Sequence, residues 1–134
     1  MDFMKFSRPA ALSSSITTLH CLALDFLYTE FLKQAAASSE PYERLKLVTT
    51  FVLAGLHNSI SALKSRAPLN PILGETLMAK KDDGTTIYLE QTVHHPPTSN
   101  WECFGPGYYF SGYGTVKAGV LGPNSMWGHM QGLN

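Results

Sequence analysis

A chain of 134 residues with 44% hydrophobic residues is long enough to form one globular domain with a buried core. Ten basic and ten acidic residues give no net charge. This balance argues against a nucleic-acid-binding protein and against attachment to membranes by overall charge alone, so that any anion site must be local.

The first residues do not resemble an export signal. The segment Met1–Pro9 contains Asp2 and lacks a long apolar core. The longest apolar run, around Phe51–Leu56, is well short of the ~18 residues that a membrane span needs. Cys21 and Cys103 are the two cysteines. We therefore expect a cytoplasmic protein, at most peripheral to membranes, with reduced and mostly buried thiols.

Two helices are predicted in the first half of the chain, over residues 1–66. Apolar residues recur at helical spacing from Leu12, and this first helix should continue to Ala37, before two serines end it. Pro41 suits the first turn of a second helix. A second apolar stripe, expected to face the core, follows at Leu45, Val48, Val52, Leu56, Ile60 and Leu63.

Residues 67–134 have the pattern of strands. Pro68 and Pro71 exclude a helix, and Asp83-Gly84 predicts a hairpin between strands at 76–78 and 85–89. Further strands are expected at 100–104 and 108–120, with bulges or bends at the glycines of the latter. Residues 125–134 are expected to add no closing element. The sequence therefore predicts an α+β fold, two N-terminal helices packed on a curved antiparallel sheet with an open edge.

The most distinctive stretch is Glu-Gln-Thr-Val-His-His-Pro-Pro at residues 90–97. The residue before a proline is excluded from the helical region, so His95 is expected to be extended on a stiff turn. Histidine gains and loses a proton near neutral pH, and a phosphate monoester would hold both rings protonated. His94 and His95 are therefore a candidate phosphate-binding pair.

This stretch, together with Asn-Pro-x-Leu-Gly-Glu-Thr at residues 70–76, resembles the signature of the oxysterol-binding-protein-related lipid-transfer family, whose usual form has Val-Ser at positions 92 and 93. Residues 25–32 resemble the first helix of that family. The resemblance implies that residues 1–134 are the N-terminal portion of its ligand domain. Residues 67–134 would then begin an incomplete β-barrel that forms one wall of a lipid tunnel.

The resemblance also implies a function. It predicts lipid binding with non-vesicular transfer or sensing of a sterol, phosphatidylinositol 4-phosphate or both, with no catalysis and no cofactor. Carried over by position, His94 and His95 would bind the head-group phosphate, with Leu69 and Asn70 beside it. Contact with membranes as a peripheral protein is expected.

One departure from the family pattern concerns a cation. The family usually has a lysine at position 67, where this chain has Ala67. Arg66 is a neighbouring cation and completes the set of candidate lipid-binding residues. Alternation along an extended segment would, however, direct its side chain to the opposite face from residue 67.

Four alternatives remain open at this stage. The chain could be a truncated fragment that transfers no lipid and pairs, as a homodimer or with a partner chain, through the open sheet edge. The histidines could simply hydrogen-bond neighbouring backbone in a rigid turn. A metal site is disfavoured because adjacent ligands on an extended chain point apart. Glu75 and Glu90 could form a catalytic carboxylate pair, although a structural role is favoured for both.

Overall fold

The computed structural model of the protein describes residues 11, 13–62, 66–122 and 125–133. These residues form three α-helices, namely α1 (Thr18–Ala23), α2 (Glu30–Ala37) and α3 (Pro41–Ala62). They also form seven strands: β1 (Ser13–Thr17), β2 (Ala67–Leu69), β3 (Thr76–Lys80), β4 (Thr86–His94), β5 (Pro97–Gly105), β6 (Tyr108–Gly122) and β7 (Ser125–Leu133). The predicted α+β class, with helices followed by an antiparallel sheet, is confirmed.

The prediction of one continuous first helix is wrong. Its proposed start at Leu12 lies outside the described residues, and residues 13–17 form strand β1, which pairs in parallel with β2. Hydroxyl and β-branched residues disfavour a helix there. A 3-10 turn at Leu24–Phe26 then separates α1 from α2. The Lys81 amine stabilises this interruption, because it donates to the Leu27 carbonyl at 2.8 Å and to the Thr29 hydroxyl at 2.6 Å.

The second predicted helix is confirmed as α3, which begins at Pro41, but its buried stripe differs from the prediction. Leu45 and Leu56 are exposed, whereas Phe51, which the predicted stripe omitted, is 3% exposed. Val48 and Val52 flank Phe51 and pack against the core. The predicted stripe member Leu63 lies outside the described residues.

Helix α3 approaches the backbone of residue 25 closely at Gly55. A β-carbon added to Gly55 would lie 2.5 Å from the Asp25 carbonyl oxygen. We therefore expect Gly55→Ala to lower the free energy of unfolding by about 1–3 kcal/mol, since overpacking outweighs the gain of about 1 kcal/mol in helix propensity. Urea denaturation measures this change. Thr49→Ala, at an exposed position of the same helix, is the control, and an equal effect of both changes would contradict the steric explanation.

The sheet has five strands in the order β3-β4-β5-β6-β7, and every neighbouring pair is antiparallel. The predicted meander is thus confirmed. Strand β7 extends it at one edge, and the sheet formed by the described residues is not closed, as expected. The ladder between β5 and β6 passes Gly112 and Gly114 without a register shift. The shift on β6 falls between Val120 and Gly122 instead.

The predicted hairpin at Asp83-Gly84 is confirmed between β3 and β4. Gly84 has a φ of +89°, a backbone conformation that residues with a side chain rarely adopt. The Asp83 carboxylate accepts the Thr85 backbone N–H at 2.9 Å, and this hydrogen bond lowers the pKa of Asp83. Side chain and backbone therefore both close the turn.

The helices cover one face of the sheet. The core joins Leu19, Phe26, Leu32 and Phe51 from the helical part to Ile87, Leu89 and Cys103 from the sheet. Both cysteines are free and buried, as predicted, and burial raises the pKa of both thiols. Among the described residues, no helix is both long and apolar enough to span a bilayer.

Candidate functional site

The two histidines lie where β4 turns into β5. His94 ends β4 and is paired with Pro97, so that His95 and Pro96 form the turn, with a cis peptide bond between them. His94 is half-buried and His95 is exposed. Their ring centroids are 4.6 Å apart. The turn therefore holds two imidazoles side by side at the end of the hairpin.

Gln91 connects His94 to the segment before β3. Its side chain is fully buried, and its Nε2 donates to the Pro71 carbonyl at 2.8 Å. The same nitrogen lies 3.0 Å from Nδ1 of His94 and 3.3 Å from Oδ1 of Asn70. One amide group thus brings together residues from both motifs that the sequence singled out.

The contact with Gln91 bears on which nitrogen of His94 can donate. The Pro71 carbonyl can only accept, so the Gln91 amide must present Nε2 and its hydrogens in that direction. An NH₂ group cannot accept, and Nδ1 of His94 must therefore be the acceptor in their contact. When Nδ1 accepts from Gln91, Nε2 is the nitrogen of His94 that can donate to another group.

Gln91 and His94 can meet because strand β4 carries a bulge between them. Gln91 pairs with Ser99 and Val93 with Thr98, which leaves Thr92 as an extra residue. Residues three apart on a regular strand face opposite sides, and the bulge restores them to one side. Asn100 donates from Nδ2 to the Thr92 hydroxyl and holds this residue in place.

The backbones of the two motifs are also joined. Gly74 N donates to the Gln91 carbonyl at 2.8 Å, and Gln91 N donates to the Glu75 carbonyl at 3.0 Å. Within the upstream segment, the Glu75 carboxylate accepts the Ile72 N–H at 3.2 Å. Glu75 therefore has the structural role that was favoured for it over catalysis. Glu90 is exposed on the strand next to the buried Gln91.

The remaining predicted site residues lie on or before β2. Leu69 ends this strand, pairs with Thr17 and is exposed. Arg66 precedes β2 and is also exposed. Within the described part of the chain, no hydrogen bond or ion pair joins Arg66 to either histidine. The structure thus links His94 to Asn70 through Gln91 and places the ring of His95 beside that of His94, while Arg66 is not joined to them.

A small apolar cavity lies on the same face of the sheet, under the helices. Its volume is about 120 Å³, and its lining includes Phe26, Phe51, Trp101 and Phe110. Trp101 is four residues along β5 from Pro97, a distance of roughly 13 Å at 3.3 Å per residue. Trp101 Nε1 is buried without a hydrogen-bond partner among the described residues. The buried sheet face therefore runs from the histidine turn towards this cavity.

No group of three or more His, Cys, Asp or Glu side chains in the described ranges is arranged to hold a metal ion.

The sequence interpretation missed the part played by Gln91. Its signal was the alternation Ile87-x-Leu89-x-Gln91, which places a glutamine on the buried face of a strand. A buried amide must find hydrogen-bond partners, and these proved to be the two motifs.

Comparison with known proteins agrees with the motifs. A family model described as oxysterol-binding protein matches residues 1–133. Oxysterol-binding protein 9 of Dictyostelium discoideum is 39% identical over 94 residues, covering 69% of this chain and 21% of that protein. Human oxysterol-binding protein-related protein 6 is 36% identical over 110 residues, covering 81% of this chain and 12% of that protein. The chain thus spans about a fifth or less of the length of these relatives.

Solved structures have the same fold. The Osh1 ORD domain in complex with ergosterol matches with a TM-score of 0.76 and 29% identity, covering 88% of this chain and 28% of that chain. The Osh3 ORD of Saccharomyces cerevisiae in complex with PI(4)P matches with a TM-score of 0.81 and covers 98% of this chain and 35% of that chain. Its identity is 23%, so this likeness concerns the fold.

Proposed function

We propose, since this chain belongs to the oxysterol-binding protein family, that it binds a lipid non-catalytically and contributes to lipid transfer or sensing at cytoplasmic membrane surfaces. The ligands proposed are phosphatidylinositol 4-phosphate, recognised through its head group, and a sterol. The observation that carries the proposal is the Gln91 amide, which holds His94 against the segment containing Asn70 and Pro71. A buried amide used in this way supports a preorganised site.

The chemistry of the turn suits a phosphate. With Nδ1 of His94 occupied by Gln91, the proton on Nε2 is free to be donated to an anion. The exposed His95 beside it can bind as an imidazolium. Hydrogen bonds to a charged group contribute about 1.5–3 kcal/mol each, which orients a head group but does not hold a lipid in place alone. Burial of the lipid's apolar part must supply the remaining affinity.

The apolar cavity is the proposed binding place for part of the lipid's apolar group. Osh1 ORD domains have been solved with ergosterol and with cholesterol. The cavity of about 120 Å³ is smaller than the roughly 300–1,000 Å³ of sites for drug-sized ligands, so a sterol would extend beyond it. The unpartnered N–H of Trp101 in its wall could donate to a ligand hydroxyl.

The test compares His94→Ala/His95→Ala with the unmodified chain in flotation with vesicles containing phosphatidylinositol 4-phosphate. Loss of two hydrogen bonds to the phosphate should weaken binding by at least about a hundredfold. The control is His57→Ala, which removes an exposed histidine on helix α3 and should bind as the unmodified chain does.

Equal binding by the His94→Ala/His95→Ala and His57→Ala variants would contradict the assignment of His94 and His95. The rival hypothesis of an interaction module predicts a dimer and no co-purified lipid. Size-exclusion chromatography with light scattering, combined with lipid mass spectrometry of the purified chain, distinguishes the two functions.

A further inference from the structure

Two adjacent aliphatic side chains project from the loop between β2 and β3. Ile72 is 71% exposed and Leu73 is 64% exposed. Leu69, three residues before Ile72, is exposed as well. Single exposed aliphatic residues are common on protein surfaces, whereas a contiguous group next to a candidate site indicates an interaction surface. We refer to Ile72 and Leu73 as the aliphatic tip.

The tip is presented by a rigid loop. Glu75 N donates to the Ile72 carbonyl at 3.0 Å, and Gly74 N donates to the Gln91 carbonyl at 2.8 Å. Gly74 has a φ of +78°, which turns the chain sharply after Leu73. The loop is thus tied both to itself and to strand β4, so that little conformational entropy would be lost when the tip meets a partner.

The tip flanks the candidate head-group site. The Pro71 carbonyl and Nδ1 of His94 both lie on the Gln91 amide nitrogen, at 2.8 Å and 3.0 Å. The two atoms are therefore within about 6 Å of each other. Ile72 and Leu73 follow Pro71 directly in the chain, so that apolar side chains and phosphate-binding nitrogens share one edge of the molecule.

The chemistry of this edge favours a lipid bilayer as the partner. The loop contains one carboxylate, Glu75, which accepts the Ile72 N–H and keeps its charge, so the favourable contact with a bilayer comes from the aliphatic side chains. Protruding aliphatic side chains enter the fluid boundary between head groups and acyl chains without a preformed complementary groove. Nearby histidines would then lie at the level of the phosphates.

We propose that Ile72 and Leu73 insert into the bilayer and hold the histidine turn at the level of the lipid phosphates. The inference rests on the proposed function, because it names how that site meets its membrane. It predicts that vesicle association depends on the tip even without a phosphoinositide, since insertion uses apolar contacts and not the head group.

The experiment compares Ile72→Gln/Leu73→Gln with Leu45→Gln/Leu53→Gln, which replaces two exposed leucines of helix α3 (65% and 63% exposed). Flotation is measured with phosphatidylcholine vesicles, with and without phosphatidylinositol 4-phosphate. The tip variant should associate at least about tenfold more weakly with both kinds of vesicle, and the helix variant should match the unmodified chain. Binding of the soluble deacylated head group, followed by NMR of the histidine rings, should be the same in all three.

The outcomes separate this inference from the proposed function. Equal flotation of the tip variant and the unmodified chain, or no flotation of either, would overturn bilayer insertion. Conversion of a dimer to a monomer by the tip substitutions would also overturn it, because the surface would then serve a second copy. Failure of the soluble head group to bind any variant would count against the histidine site, while a flotation defect confined to the tip variant would still support insertion.

Discussion

Replacing Phe51 by alanine should lower the free energy of unfolding by about 3–5 kcal/mol, the usual cost of removing a buried aromatic ring. Phe51 is the most buried described side chain of helix α3, and its ring lies 5.5 Å from Phe110 and 6.1 Å from Phe26. It therefore joins the long helix to the 3-10 turn and to strand β6. Urea denaturation followed by circular dichroism measures the change.

The loss of stability should be large because the space left by the Phe51 ring cannot close easily. Phe51 already lines the apolar cavity, and its removal would enlarge that space between elements fixed by the sheet and by α3. The control is Leu53→Ala on the same helix, where the side chain is 63% exposed and the change should be within about 0.5 kcal/mol. Similar losses for both variants would show that Phe51 does not organise the core.

Elements with local signals were predictable from the sequence. Helix α3 has proline at its start and an apolar period, and the β3–β4 hairpin has Asp83-Gly84. Strand β1 had no such signal, because it is stabilised by parallel pairing with β2, about fifty residues further along the chain. The segment just before α2 likewise contacts a distant group, the Lys81 amine. Such long-range contacts override local helical periodicity.

The candidate site likewise has parts that were predictable from the sequence and parts that were not. The histidine pair and Asn70 were found by motif, since both stretches are contiguous in sequence. The arrangement that joins them was not predictable, because it needs the Thr92 bulge and the pairing of residues 74 and 75 with Gln91. A single extra residue in a strand changes which side chains share a face, and alternation read from sequence then fails beyond it.

Gln91→Leu should lower the free energy of unfolding by about 2–4 kcal/mol and release the ring of His94. Leucine fits a similar volume but cannot donate, so the buried Pro71 carbonyl and Nδ1 of His94 would both lose their donor, at about 1–3 kcal/mol each. Loss of the unpartnered Gln91 Oε1 offsets part of this cost. Thermal or urea denaturation measures the stability, and ¹⁵N NMR of the imidazole reports whether Nδ1 remains an unprotonated acceptor.

Glu90→Leu is the matched control, because it introduces the same side chain at the exposed neighbouring position of strand β4 and should change stability by no more than about 0.5 kcal/mol. If Gln91 positions His94, its replacement should redistribute the ring proton between Nδ1 and Nε2 and weaken head-group binding, and Glu90→Leu should do neither. An unchanged ¹⁵N spectrum of His94 in a folded Gln91→Leu chain would contradict the positioning role and leave Gln91 as a purely structural residue. A stiff, correctly protonated His94 is what the proposed phosphate site requires, so this spectrum tests how the fold and the function are connected.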